Sequence, residues 1–273
     1  MNYRHAFHAG NHTEVFKHSA LVHLLDRLLA KPKPFMVLDT HAGLGLYDLD
    51  SSEAVRTGEA AAGIGAVFDR LGGEAASYAS LVRPYLSEGR YPGSPTIVAD
   101  RLRLDDRLVA CELHPEDVII LRRNFARTGT VAVHHRDGYE AMTALVPPPE
   151  RRGLVFIDPP FESRDEPDRL GSRLAAAIRK WPTGIYVGWY PVKDPTTRPR
   201  ILAQLERDWV PSCLWAEFYR FPPDGLRLAG SGLVVVNAPW KFDETLRSLG
   251  TDLIEAFGDE GGAIAVQWAK APD

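Results

Sequence analysis

Apolar positions along the 273-residue chain follow two rhythms. Leu21, Leu24, Leu25, Leu28 and Leu29 recur at intervals of three and four, which lines one face of a helix capped by Asn11 or Thr13. Lys31-Pro32-Lys33-Pro34 ends it, since proline has no N–H to donate and clashes with the preceding turn. Short apolar runs then predict strands at 35–39, 108–112, 130–134, 154–158, 184–190, 214–220, 232–237 and 263–268. Helical stretches at 115–127, 139–145 and 169–181 separate the early ones. Strands alternating with helices build a mostly parallel sheet with right-handed crossovers. The expected fold is therefore α/β, one domain over residues 1–273.

Between residues 50 and 93 the rhythm is lost. Alanine, glycine and scattered apolar residues suggest two short helices with Gly72-Gly73 between them, an inserted helical subdomain. Tyr91-Pro92-Gly93-Ser94-Pro95 closes it as a turn, with Ser94 as N-cap and Pro95 as first helical residue.

Four predicted strands end on acids: Asp39, Glu112, Asp137 and Asp158. In an open α/β sheet that is where ligands bind. Thr40 to Leu46 holds two glycines, enough for close backbone approach, but has no G-x-G-x-x-G spacing and no Walker lysine follows. Glu112 suits the two hydroxyls of a ribose. It lies 112 − 39 = 73 positions after Asp39 instead of about 20, an excess the insertion explains. Asp137-Gly138 suits an adenine ring and its amino group. A nucleoside cofactor held without a phosphate loop, in an acid-rich pocket, fits S-adenosylmethionine better than NAD or ATP.

Asp158-Pro159-Pro160-Phe161 carries the most chemistry. The double proline stops the sheet ladder and leaves free carbonyl oxygens beside a carboxylate. A nucleobase amine donating to Asp158 and to the Pro159 carbonyl, with its ring on Phe161, would be presented to an electrophilic methyl group.

Composition narrows the partners. Apolar residues at 45% and charged ones at 25% are ordinary for a soluble protein, and the net charge of −4 excludes a global basic field. Contacts to nucleic acid must then be local, around Arg122-Arg123 with Arg127, Arg151-Arg152, or Arg198 with Arg200. Cys111 and Cys213 have neither metal spacing nor a disulfide framework. With no signal peptide and no membrane-length apolar run, the expectation is a cytoplasmic monomer with no membrane partner. A different class, a metal-dependent hydrolase, would use His5, His8, His12, His18 and His41; His8 and His12 have i, i+4 spacing, but no Glu follows the first as in H-E-x-x-H and no cysteine joins them. No metal is therefore expected.

Nearly end to end, the chain resembles the bacterial 23S ribosomal RNA adenine-N6 methyltransferase family. The resemblance rests on Tyr3-Arg4-His5, Phe7 to His12, Lys17-His18, Leu38 to Gly43, Arg56-Thr57-Gly58-Glu59 and Tyr91 to Pro95, then on Glu112 to Pro115, Asp137-Gly138, Ile157 to Pro160 and Trp189-Tyr190-Pro191. It implies a Rossmann-like class I methyltransferase with a seven-stranded sheet and a small helical insertion, acting on protein-free 23S RNA. By it, His18, His41, Ser94, Glu112, Asp137, Gly138 and Asp158 line the S-adenosylmethionine pocket, with Asp158 catalytic; the helix after Asn11 would bring Lys17 to the same cofactor. Tyr3, His5, Pro159 and Phe161 would meet the target base, and residues 2–9 would clamp the RNA. The family usually shows tyrosine after the prolines; here it is Phe161, which keeps stacking and loses the hydroxyl. That residue also occurs in enzymes resembling guanine-N2 methyltransferases, so guanine N2 of ribosomal RNA, or adenine N6 of DNA, is the alternative substrate.

Overall fold

A computed structural model describes residues 7–272. The Asn11 side chain accepts hydrogen bonds from the Thr13 and Glu14 amides, both at 3.0 Å, and so starts α1 (His12–Leu29). Then come β1 (Met36–Asp39), β2 (Leu46–Asp48), α2 (Ser52–Thr57), α3 (Glu59–Ala62), α4 (Ile64–Val67), α5 (Ala76–Leu86) and β3 (Arg90–Pro92). The middle of the chain forms α6 (Ser94–Ala99), β4 (Arg107–Glu112), α7 (Pro115–Asn124), β5 (Val131–His135), α8 (Gly138–Ala144), β6 (Gly153–Ile157) and α9 (Glu166–Lys180). The last part forms β7 (Ile185–Val192), α10 (Thr197–Leu205), β8 (Cys213–Tyr219), β9 (Gly230–Val236), α11 (Phe242–Phe257) and β10 (Ala263–Lys270).

Eight strands form one sheet in the order β10-β8-β9-β7-β6-β1-β4-β5. The five from β5 to β7 are mutually parallel; β9 runs against β7 and β8, and β10 against β8. The eight apolar runs each become a strand of this sheet, and the count of seven implied by the resemblance is corrected to eight. Without β10, strand β8 would leave a row of unpaired N–H and C=O groups along its outer edge.

Side chains of β1 alternate between two apolar layers. Val37 joins Phe16, Leu21, Leu25, Leu246 and Leu249 on the α1/α11 side. Met36 and Leu38 join Leu170, Leu174, Ile178 and Ile201 on the α9/α10 side. Burial on both faces explains why the strand reads as a continuous apolar run.

Residues 52–86 break into more pieces than the two helices expected. Gly58, in left-handed backbone conformation at φ +64°, and Gly63 end α2 and α3 after a turn or so each. The buried side chains of α4 and α5, among them Ile64, Val67, Tyr78 and Val82, belong to the same apolar layer as α1 and α11. Ser94 is also corrected: Gly93 caps α6 and Ser94 is its first residue, its hydroxyl donating to Asp39 at 2.6 Å. A fully buried carboxylate needs that donor more than the helix needs a side-chain cap. The helices α10 and α11 had no counterpart in the periodicity reading. Among the described residues, no helix is long and apolar enough to cross a membrane.

Candidate active site

Strands β5, β4, β1 and β6 are neighbours, so their carboxyl ends bring Asp137, Glu112, Asp39 and Asp158 to one rim of the sheet. One cleft there is lined by His41, Gly43, Glu112, Leu113, His114, Asp117, Asp137, Gly138, Tyr139, Asp158, Pro160, Glu166 and Arg169. The turn after β1 enters it because Gly43 takes φ +58°.

Each acid in this cleft is held. Glu112 accepts the Gly43 amide at 2.8 Å on Oε2 and the His114 amide at 2.7 Å on Oε1, which ties the glycine turn to the end of β4. Asp137 caps α8 through the Tyr139 and Glu140 amides, at 2.8 and 3.1 Å, while Arg169 donates to its other oxygen at 3.1 Å. Gly138 follows with no room for a side chain: a Cβ there would stand 2.1 Å from the Thr40 carbonyl oxygen. His41 shares a hydrogen bond with Thr40 Oγ1 at 2.7 Å and meets Tyr139 edge-on. Burial lowers its pKa to about 4, so the ring is neutral at pH 7.

A second cleft opens on the opposite flank of Asp158. It is lined by His8, Asn11, Thr13, Glu14, Lys17, Asp158, Phe161, Glu162, Trp189, Pro191, Lys193 and Leu228. Asp158 therefore borders both. Phe161 meets Trp189 edge-to-face, ring centroids 5.8 Å apart. Trp189 is fixed by its indole N–H on Ser231 Oγ at 2.9 Å, and Ser231 in turn donates to the Thr13 carbonyl at 3.1 Å.

Lys17 reaches Asp158 from α1. Its ammonium contacts both Asp158 Oδ2 and Glu14 Oε1, and lies 5.0 Å from the Trp189 ring centroid. Burial alone would lower the Lys17 pKa, but the two carboxylates outweigh it and hold the group above the ordinary lysine value. Burial likewise pushes Asp39 up to about 7, with Asp158 adding to the shift and the Ser94 hydrogen bond opposing it.

Of the residues expected around a cofactor, His41, Glu112, Asp137, Gly138 and Asp158 share the first cleft. Lys17 lies in the second. Ser94 and His18 line neither: Ser94 supports Asp39, and His18 shares a hydrogen bond with Tyr91 Oη at 2.9 Å behind the sheet rim. Phe161 lines the second cleft and Pro159 is buried beneath it. Tyr3 and His5 fall outside the described residues. Glu14, Tyr139, Glu166, Arg169 and Trp189 were not anticipated. Glu14 precedes Lys17 and His18 by three and four positions, a helical-face signal that sequence reading had available.

The histidines do not converge. His8 bonds to Glu59, His18 to Tyr91, His41 to Thr40, and His12 packs against Phe221. Among the described residues no group of three or more His, Cys, Asp and Glu is placed to hold a metal ion, and the hydrolase alternative finds no site among them; His5 lies outside the described residues.

A mostly parallel α/β sheet with acids at its strand ends and a DPP-aromatic motif between two clefts fits a class I methyltransferase. The family model described as ribosomal RNA large subunit methyltransferase D, RlmJ, matches residues 32–270. The chain is 38% identical to ribosomal RNA large subunit methyltransferase J of Haemophilus influenzae across 98% of both chains. It is equally identical to the Escherichia coli protein of that name across 91% of both. A crystal structure of a Legionella pneumophila protein superposes with a TM-score of 0.87 at 32% identity, covering 95% of this chain and 98% of that one. The chain belongs to the large-subunit ribosomal RNA methyltransferase J family.

Proposed function

We propose that this enzyme methylates the exocyclic N6 of an adenine in 23S ribosomal RNA, with S-adenosylmethionine in the cleft lined by His41, Glu112 and Asp137 and the target base in the cleft lined by Phe161 and Trp189. The observation that carries this reading is Asp158, the strand-end carboxylate common to both clefts.

The donor set suits the cofactor. Each Glu112 oxygen already accepts one amide and keeps a lone pair for a ribose hydroxyl. Glu112, Asp117, Asp137, Asp158 and Glu166 line a predominantly acidic cleft whose cation, Arg169, is tied to Asp137. That environment favours a sulfonium over a phosphate. When bound, S-adenosylmethionine supplies an electrophilic methyl group.

The chain's own residues prepare the amine. Adenine N6 is a weak nucleophile because its lone pair is delocalised into the ring. Lys17 occupies Asp158 Oδ2, which leaves Oδ1 to accept one N6 hydrogen while the Pro159 carbonyl accepts the other. Two such bonds draw nitrogen toward tetrahedral geometry and aim its lone pair across Asp158, so orientation supplies most of the acceleration. Lys17, held protonated, fixes the carboxylate and cannot itself accept the proton that N6 must shed on methylation; Asp158 Oδ1, hydrogen-bonded to that hydrogen, would take it and release it to water. Phe161 gives the splayed base a face to stack on, worth on the order of 1–3 kcal/mol, against a few kcal/mol to unstack it. No local hydroxyl is required for that.

The test is nucleoside mass spectrometry of a protein-free 23S transcript after treatment with the enzyme. The expected product is N6-methyladenosine at one position, absent with Asp158→Ala. N2-methylguanosine instead, or full activity in the variant, would overturn the assignment.

A further inference from the structure

Arg56-Thr57-Gly58-Glu59 touches neither the cofactor cleft nor Asp158, yet it grips the chain just before α1 at four points. Glu59 accepts from Asn11 Nδ2 at 2.9 Å and contacts His8 Nδ1 at 3.0 Å through each oxygen. The Thr57 hydroxyl donates to the Phe7 carbonyl at 2.8 Å, and the Arg56 guanidinium lies 4.5 Å from the Phe7 ring centroid. Beyond them, the Ile64 amide donates to the Gly10 carbonyl at 2.7 Å. That approach requires Gly63, where a Cβ would stand 2.1 Å from the Gly10 oxygen.

The gripped residues belong to the second cleft: His8 and Asn11 line its rim. Asn11 is also the cap of α1, so Glu59 holds one end of the side chain whose other end holds the Thr13 and Glu14 amides. One and two turns further along α1 stand Glu14 and Lys17, the latter on Asp158. A continuous set of hydrogen bonds thus runs from the inserted helices to the carboxylate between the clefts.

We infer that Arg56–Glu59 is a positioning strap for the RNA side of the active site, with Glu59 its principal residue. It sets the rim of the base cleft and the register of α1 beneath it. This rests on the assignment of the Phe161 cleft to the target base. The strap acts through His8 and Asn11, so its loss weakens RNA handling while the cofactor cleft, walled by other elements, stays intact.

The experiment uses the full-length enzyme with Glu59→Ala, Glu59→Gln and Thr57→Val, and the 23S transcript as substrate. KM for RNA is expected to rise on the order of tenfold or more in Glu59→Ala. Glu59→Gln should keep part of the function, because an amide oxygen still accepts from Asn11. Affinity for S-adenosylmethionine, by calorimetry, should change less than about twofold, and amide hydrogen exchange at residues 8–12 should accelerate. Thr57→Val, a milder change, should show smaller shifts in the same direction and covers the case of a poorly folded Glu59 variant. Unchanged exchange at residues 8–12 would mean the strap holds nothing. Accelerated exchange with unchanged RNA kinetics would mean that what it holds has no part in catalysis. Phe161→Ala serves as the separate control: full RNA activity there would remove the base-cleft assignment, whatever Glu59 does.

Discussion

Lys17 and Asp158, 141 positions apart in sequence, form a buried ion pair where two clefts meet. Glu14 completes it, so one ammonium stands between two carboxylates. The electrostatic consequence is that Lys17 anchors Asp158 and also offsets the repulsion between Glu14 and Asp158.

Lys17→Met should therefore cost stability as well as activity. Removing one partner of a buried pair leaves charge uncompensated, typically about 3–5 kcal/mol. Since the Lys17 pKa is raised in the folded state, the pair's contribution is complete below the unfolded lysine value near 10 and flat across pH 6–9. Urea denaturation of Lys17→Met and Lys17→Arg across that range checks this. A methionine variant as stable as wild type would refute the ion-pair account.

Glu112→Ala should weaken S-adenosylmethionine binding by about 1.5–3 kcal/mol, the worth of charge-assisted hydrogen bonds. Because Glu112 also holds the Gly43 and His114 amides, the glycine turn should loosen with it. Glu112→Gln keeps acceptor capacity on one oxygen only and should fall between. Calorimetry settles the matter: unchanged affinity in Glu112→Ala would remove the residue from the cofactor site.

At the aromatic wall, Phe161→Ala should raise KM for RNA by the equivalent of about 1–3 kcal/mol, leaving cofactor affinity intact. Phe161→Tyr should stay close to wild type, because the stacking face is preserved and the ring keeps its edge-to-face contact with Trp189. A tyrosine variant more than about tenfold better in kcat would show that a hydroxyl matters at this position.

Stability should carry the mark of Asp39. Burial pushes its pKa up to about 7, so between roughly pH 4 and 7 the folded chain holds a proton that the unfolded chain has released. Its contribution to stability consequently falls as pH rises through that window and levels off above it. His12 and His41, both lowered to about 4 by burial, act in the opposite direction, so the readout must be a difference. The stability of Asp39→Asn relative to wild type should climb from pH 4 to 7, by no more than about 4 kcal/mol, then plateau. A pH-independent difference would show that Asp39 ionises normally.

Local chemistry determined much of this protein. A doubly buried strand announces itself as an apolar run, the double proline after Asp158 ends β6, and the acids after such runs mark the carboxyl rim of a parallel sheet. Asp158-Pro159-Pro160-Phe161, Glu112 and Asp137 were legible for that reason, and so was the Asn11 cap, since capping is decided within three residues. What tertiary structure alone decided depends on contacts between distant segments. Ser94 looks like a helix cap until the sheet delivers Asp39, 55 positions away, with a buried carboxylate to satisfy. His18, expected beside the cofactor, shares its Nδ1 hydrogen bond with the Tyr91 hydroxyl, 73 positions away. Lys17 reaches Asp158 only because α1 packs against β9 with its first turns beside the end of β6. Burial sets the free energy of these polar groups, and burial belongs to the packed molecule.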